Sequence, residues 1–346
     1  MQRCIELAKS GLGNVAPNPM VGAVITYNNE IKGEGFHRKF GEAHAEINAI
    51  KSVKNKELLK KSTIYVSLEP CAHYGKTPPC SQAIIRHRIP RVVIGCTDTF
   101  SEVSGRGIAE LKEAGCDLRL GVLENEARYL NRRFFTFHEK KRPYVILKWA
   151  QTADGYIDIQ RNKNSLNRPT WITDETARML VHKWRTEEQA ILVGSKTAEK
   201  DNPNLNVREW KGQNPVRILI DKSLRLDKSL NIFNNETKTL VFNALKTYRR
   251  KNTEYIQIDF TKEIPSQILE VLYAKAVQSL IIEGGAFTHE LFIKHNLWDE
   301  ARVFVGNKLF YKGVQAARLP QHSQRINSIS IGNSKLFIVK NTLNKI

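Results

Sequence analysis

A span of thirty-seven residues constrains this chain more than any other: it opens with His44-Ala45-Glu46 and closes on Pro70-Cys71 and Cys80. One imidazole and two thiolates can hold zinc from three sides, so a fold that uses them must bring positions 44, 71 and 80 to one point. Three protein ligands leave the fourth tetrahedral position to water, which marks a catalytic rather than a structural zinc. A structural knuckle asks for a fourth ligand and short Cys-x-x-Cys spacing, whereas Cys71 and Cys80 are spaced as Cys-x8-Cys. Glu46, two residues past the histidine, is placed to move protons and not to bind metal.

The order H-x-E, P-C, C is that of zinc deaminases, where the metal activates water against an amidine-like ring carbon and the glutamate shuttles protons. The sequence around it alternates strand and helix patterns. Residues 21–27 read as a strand, Asn28-Asn29 as a turn and 31–36 as the returning strand. Residues 45–53 read as a helix, 63–68 and 91–95 as buried strands, and 81–87 and 107–114 as helices. Cys80, at a helix N-terminus, is expected to gain thiolate stabilisation from the helix dipole. Such alternation predicts a layered α/β domain.

The chain has 346 residues, room for two ordinary domains. Hydrophobic residues make up 41% and charged residues 26%, a globular composition with no apolar run able to span a bilayer. Met1-Gln2-Arg3-Cys4-Ile5-Glu6 lacks the apolar stretch of a signal peptide. Five scattered cysteines do not make a disulfide framework and fit a reducing cytoplasm. The net charge of +19 favours anionic ligands and does not choose between RNA and small phosphates.

A polar, charged segment ending in Pro143 suggests a boundary, dividing 1–141 from 142–346. Beyond it, 144–150, 190–193, 216–221, 239–243, 255–260 and 279–282 read as strands. Thr173 is expected to cap a helix whose first turn carries Asp174 and Glu175. Ile281-Ile282-Glu283-Gly284-Gly285-Ala286 runs from strand through a glycine turn into a helix at 287–294, a place where backbone N–H groups can approach a phosphate. It is not the G-x-G-x-x-G fingerprint, so no Rossmann domain is expected.

Taken together, these residues resemble the bifunctional riboflavin-biosynthesis deaminase–reductase family. The first half matches through Ala16-Pro17-Asn18-Pro19-Met20-Val21-Gly22, Gly33-Glu34-Gly35-Phe36-His37, His44-Ala45-Glu46 and the stretch from Glu69 to Thr77-Pro78-Pro79-Cys80. The second half matches through Lys148-Trp149-Ala150-Gln151-Thr152-Ala153-Asp154-Gly155, Trp171-Ile172-Thr173, Asp201-Asn202-Pro203-Asn204-Leu205, Pro215-Val216-Arg217-Ile218 and Glu283-Gly284-Gly285. The resemblance implies a cytidine-deaminase-like α/β/α layered domain at 1–141 and a dihydrofolate-reductase-like α/β domain at 142–346. It implies one Zn2+ per chain and NADPH as cofactors. The substrate would be 2,5-diamino-6-ribosylamino-4(3H)-pyrimidinone 5′-phosphate, deaminated and then reduced to 5-amino-6-(5-phosphoribitylamino)uracil.

Carried over position by position, His44, Cys71 and Cys80 would bind zinc and Glu46 would be catalytic. Asn18, His73 and Lys76 would contact the first substrate; Lys148, Arg185, Leu205, Arg208 and Glu283 the second. Arg185 and Arg208 suit a phosphate, which guanidinium binds bidentately. Ala150, Trp171, Thr197, Asp201, Ser223 and Gly285 would hold the cofactor. Pro169 stands where many relatives have a small hydroxyl residue, Thr152 replaces a serine, and Cys96-Thr97-Asp98-Thr99-Phe100-Ser101 lacks the usual Asp-Pro-Asn-Pro run. By that resemblance the chain would begin inside the family's usual first helix. The resemblance further implies a cytoplasmic homo-oligomer, dimer or tetramer, with a small-molecule substrate, no nucleic acid and no membrane. The alternative is a nucleic-acid base deaminase with an accessory domain, which the reductase-ordered second half disfavours.

Overall fold

A computed structural model describes residues 1–73, 78–99, 105–160 and 170–344. Lys76 and Pro169 lie outside the described residues, as do the last two residues of the Cys96–Ser101 stretch. The chain forms two compact units, Met1–Lys141 and Arg142 onward.

In the first unit, α1 (Gln2–Lys9) precedes a hairpin of β1 (Gly22–Tyr27) and β2 (Glu30–Phe36). Asn28 and Asn29 turn it with φ of 52° and 62°, the left-handed region that asparagine tolerates and that tight hairpins need. Next come α2 (Ala45–Ser52), β3 (Thr63–Leu68), α3 (Cys80–Arg86), β4 (Arg91–Cys96), α4 (Arg106–Glu113), β5 (Asp117–Arg119), α5 (Glu124–Leu130) and α6 (Arg132–Lys140). The sheet order is β2-β1-β3-β4-β5. β3, β4 and β5 are parallel, and β1 is antiparallel to both its neighbours. Helices on a parallel sheet explain the near-continuous apolar run of β4, buried from Val92 to Cys96. Lys56 closes the C-terminus of α2 by donating to the carbonyls of Ile50, Lys51 and Val53 at 2.6, 2.9 and 2.6 Å.

The second unit contains β6 (Tyr144–Gln151), β7 (Tyr156–Ile159), α7 (Glu175–Glu187), β8 (Ala190–Gly194), α8 (Ser195–Asp201), β9 (Val216–Ile220), β10 (Thr239–Asn243), β11 (Tyr248–Arg250), β12 (Thr253–Gln257) and α9 (Ile264–Ala274). It ends with β13 (Ser279–Ile282), α10 (Ala286–Lys294), β14 (Glu300–Gly306), β15 (Gly313–Gln315), β16 (Ser323–Ile331) and β17 (Ser334–Asn341). The main sheet runs β11-β12-β10-β9-β8-β13-β6-β14-β17-β16. Strands β12, β10, β9, β8, β13, β6 and β14 are parallel along it, so their carboxyl ends form one rim. In β6, Val145, Leu147 and Trp149 enter the apolar core, and the strand's period of two puts Lys148 and Ala150 on the other face.

Two expectations change. Asp174, not Thr173, caps α7: its Oδ1 accepts the Ala177 N–H at 3.1 Å while Oδ2 accepts Asn333 N–H at 2.7 Å. The strand expected at 255–260 ends at Gln257, because Asp259 is drawn into a turn by the backbone N–H and hydroxyl of Thr261. The charged stretch before Pro143 is tied down at its end. Arg142 is buried, with bidentate bonds of 2.6 and 2.8 Å to Asp299.

Candidate metal centre and reductase pocket

In the first unit, two helix N-termini meet beyond the carboxyl end of β3. His44 is the N-cap of α2, Cys80 is the first residue of α3, and Cys71 follows β3 by way of Glu69 and Pro70. His44 Nδ1 lies 3.5 Å from Cys71 Sγ and 3.3 Å from Cys80 Sγ. Tetrahedral zinc with Zn–S near 2.3 Å and Zn–N near 2.0 Å requires separations of roughly 3.5–3.8 Å. The three ligand atoms all lie within 4.8 Å of one another, and no fourth side chain joins the group among the described residues. The donor set and spacing fit zinc with one position left open.

The thiols divide the electrostatics unequally. The Cys71 thiol is held down to about 4 by hydrogen bonds from Cys80 and His44. Cys80 is pushed well up by its hydrogen bond to Cys71 and by burial. The Cys80 backbone N–H, at the start of α3, donates to Cys71 Sγ at 3.4 Å. Glu46 is 3% exposed. Burial first, then the Cys71 charge, raises its carboxyl to about 7.

His37 is set edge-on against His44, ring centroids 5.2 Å apart, and its Nε2 lies 3.2 Å from Asn18 Nδ2. Asn18 is thus brought to the cluster. His73 follows Cys71 by two residues, and its buried Nδ1 has no hydrogen-bond partner among the described residues.

The second unit brings Lys148, Arg185 and Glu283 together. Arg185 on α7 donates Nε and Nη2 to the Glu283 carboxylate at 2.9 and 2.8 Å, and Lys148 Nζ is 3.6 Å from the same group. Burial pushes Glu283 up, but Arg185 and Lys148 outweigh it and bring it down to about 2. Burial lowers Lys148, with Glu283 opposing. Arg185 also donates to Asn206 O at 3.1 Å, so three of its five donors are engaged. Leu205 is buried with φ of 52°, and exposed Arg208 donates to Asn206 Oδ1 at 2.6 Å.

His182, one turn before Arg185, accepts the Arg208 backbone N–H on Nδ1 at 3.2 Å. The sequence reading missed it; its one signal is its i, i+3 offset from Arg185, which puts both on one face of α7.

The residues expected to hold the cofactor lie along the carboxyl rim of the parallel strands, where open α/β sheets bind ligands. Thr197 and Asp201 are on α8 after β8, and exposed Ser223 is in the turn after β9. Ala150 is near the end of β6, and Gly285 follows β13. Trp171 is 51% exposed, with Arg178 over its ring at 4.9 Å. Gly285 caps α10 with φ of 55°, and a Cβ there would lie 3.2 Å from Thr197 Oγ1. A bare backbone, a hydroxyl and a helix N-terminus at one place suit a cofactor phosphate.

Behind this rim, His289 is fully buried and its Nε2 donates to Ile282 O at 3.0 Å. Burial, aided by the Lys148 charge, lowers it to about 4. Its unfolded value is about 6.5, so between about pH 6.5 and 4 the unfolded chain binds a proton that the fold refuses. Stability therefore falls as pH drops through that window, by on the order of 3 kcal/mol at its lower end. Urea unfolding from pH 7 to 4 should show the slope, and His289→Leu should reduce it; equal slopes would contradict the assignment.

Among the described residues no helix is long and apolar enough to cross a membrane. Residues 143–330 match the family model "RibD C-terminal domain", and residues 1–96 match "Cytidine and deoxycytidylate deaminase zinc-binding region". The riboflavin biosynthesis protein RibD of Aquifex aeolicus is 37% identical over 324 residues, covering 92% of this chain and 89% of the relative. That of Synechocystis sp. is 38% identical over 316 residues, covering 89% and 84%. The crystal structure of a diaminohydroxyphosphoribosylaminopyrimidine deaminase/5-amino-6-(5-phosphoribosylamino)uracil reductase from Thermotoga maritima superposes with a TM-score of 0.88 at 36% identity, covering 98% of this chain and 97% of that one. RibD of Acinetobacter baumannii gives 0.86 at 31%, with the same coverage. Both halves match in one order over nearly the whole length, which a nucleic-acid deaminase with an unrelated accessory domain would not show. The chain belongs to the RibD family, the bifunctional zinc-dependent deaminases and NADPH-dependent reductases of riboflavin biosynthesis.

Proposed function

We propose that residues 1–141 hydrolyse the exocyclic 2-amino group of 2,5-diamino-6-ribosylamino-4(3H)-pyrimidinone 5′-phosphate and that 142–346 reduce the ribosyl group, yielding 5-amino-6-(5-phosphoribitylamino)uracil. The substrates named for the Thermotoga maritima relative support this choice. The observation that carries it is the buried Glu46 carboxyl against the His44/Cys71/Cys80 cluster.

When bound, zinc supplies a Lewis acid that makes water nucleophilic near neutral pH, and NADPH supplies the reducing equivalent. His44, Cys71 and Cys80 hold the metal. Glu46 takes one proton from water and delivers it to the ring nitrogen, then carries the second, from the oxygen now bonded to the ring carbon, to the amine, which departs as ammonia; its burial suits it to both steps. Asn18, fixed by His37, and His73, whose Nδ1 has no hydrogen-bond partner among the described residues, orient the pyrimidine; Lys76 is assigned to the phosphate. In the second unit Lys148 is assigned to the substrate, fixed by Glu283, which Arg185 holds. Leu205 covers the pocket and Arg208 takes the phosphate. Ala150, Trp171, Thr197, Asp201, Ser223 and Gly285 seat the cofactor. We carry over from the family a cytoplasmic homodimer or tetramer that acts on no nucleic acid, a state that sedimentation would test.

Zinc-loaded protein incubated with the diaminopyrimidinone ribosyl phosphate should give deaminated product without NADPH, and deaminated, reduced product with it, by mass spectrometry. No conversion would overturn the substrate. Arg208→Ala should raise KM for the deaminated phosphate by ~10–150-fold, equivalent to ~1.5–3 kcal/mol for hydrogen bonds to a charged group. An unchanged KM would remove the residue from the site.

A further inference from the structure

Helix α4 contributes no ligand, yet both cysteine segments are anchored to it. At its N-terminus stands Glu69, 4% exposed and two residues before Cys71. Its Oε1 accepts the N–H groups of Gly107 and Ile108 at 3.1 and 3.4 Å, and its Oε2 those of Asp98 and Gly105, both at 3.2 Å. A carboxylate there satisfies orphan donors and complements the helix dipole. The intervening Pro70 is pressed onto the same turn: a Cβ at Gly107 would lie 1.9 Å from the Pro70 carbonyl oxygen.

One turn further along α4, Glu110 reaches the other segment. Its Oε2 accepts the Ser81 hydroxyl at 2.6 Å and Gln82 Nε2 at 3.2 Å. Ser81 follows Cys80 directly and closes the circuit, because its Oγ and N–H both lie within hydrogen-bond reach of Cys71 O, at 3.1 and 3.2 Å. Glu110 thus addresses the linkage between the cysteines, while Glu69 and Gly107 hold the Pro70-Cys71 backbone.

We propose that Glu110 and Glu69 are positioning residues that set the Cys71–Cys80 spacing through α4, and with it the affinity and geometry of the metal. This rests on His44, Cys71 and Cys80 being the zinc ligands. Outer partners of metal ligands carry effects of ~10–100-fold on metal affinity.

The test uses the full chain, zinc competition with a chromophoric chelator, and the visible absorption of the cobalt-substituted protein, which reads ligand geometry independently of turnover. Glu110→Ala should weaken zinc ~10–100-fold and shift or weaken the cobalt bands, with the NADPH-dependent step on pre-deaminated substrate unchanged. Glu110→Gln keeps an acceptor oxygen for Ser81 and should recover most of the affinity. Ser81→Ala cuts the same link from its other end and should resemble Glu110→Ala, which decides the matter if Glu110→Ala fails to fold. Cys80→Ser separates the two levels: wild-type zinc binding in that variant would overturn the ligand assignment itself. Lost zinc in Cys80→Ser, with wild-type affinity and spectrum in Glu110→Ala or, where that variant fails to fold, in Ser81→Ala, would overturn the positioning role.

Discussion

Glu46→Gln should lose deamination by ~10²–10⁴-fold, the share that a positioned general acid–base supplies, while zinc content stays unchanged. The side chain is buried against the Cys80 thiol but is outside the group of ligand atoms, so the amide should sit in the same space without disturbing His44, Cys71 or Cys80. What disappears is a group able to hold and release a proton. Reduction of pre-deaminated substrate should proceed at the wild-type rate, since Lys148, Arg185 and Glu283 all belong to the other unit. Metal analysis and separate assays of the two steps check this. Zinc loss in the variant would make Glu46 a ligand, and retained deamination would move the proton shuttle elsewhere.

Removing Glu283 should have the second largest effect, and on stability as well as turnover. Its carboxylate is the counter-ion of two cations whose side chains are only 11% and 15% exposed, Arg185 and Lys148. Glu283→Ala strands both, and breaking a buried pair from one side costs about 3–5 kcal/mol. Loss of the fixed Lys148 position should cost a further ~10²-fold in the reductase step. Acidity offers an independent reading. A carboxyl held at about 2 in the fold, against about 4.3 unfolded, contributes stability that is fully present above the unfolded value and disappears as pH falls through the folded one. Wild type should therefore lose that part of its stability between about pH 4 and 2, and Glu283→Ala should lack that component. Denaturant unfolding at pH 7, 4 and 2.5 measures both; a variant within about 1 kcal/mol of wild type would show that the cations find other partners.

The metal cluster was legible because its chemistry resides in residue type, order and spacing. The strands Thr63–Leu68, Thr239–Asn243 and Ser279–Ile282 were legible because apolar runs end there in polar or turn-forming residues. Other features depend on partners far along the chain. Glu69 and Glu110 look like ordinary surface acids until α4 folds against the cysteine segments. β14 was passed over because Glu300 and Arg302 interrupt its apolar pattern; both are buried and joined at 2.7 Å. β16 shows no burial contrast at all, since Gln324 to Ser330 are exposed on both faces. The Thr173 cap failed on a local choice between adjacent polar residues, settled by the carboxylate that Asn333 also engages.

Lys148 and Arg185 around Glu283 make a cluster with a single surplus positive charge, and exposed Arg208 beside it adds another, while Glu209, the other carboxylate that Arg185 senses, is paired with Arg178 at 3.3 Å. His182 adds none near neutrality, being lowered to about 4 by burial and the nearby arginines. The pocket is therefore a short-range anion trap. At 0.1 M ionic strength its field decays over about 10 Å, so a phosphate in bulk solvent hardly senses it while one at the mouth does. Added salt should act on this enzyme mainly by slowing capture: a seated phosphate is shielded by the protein, an approaching one is not, and a phosphate-free analogue is indifferent to both.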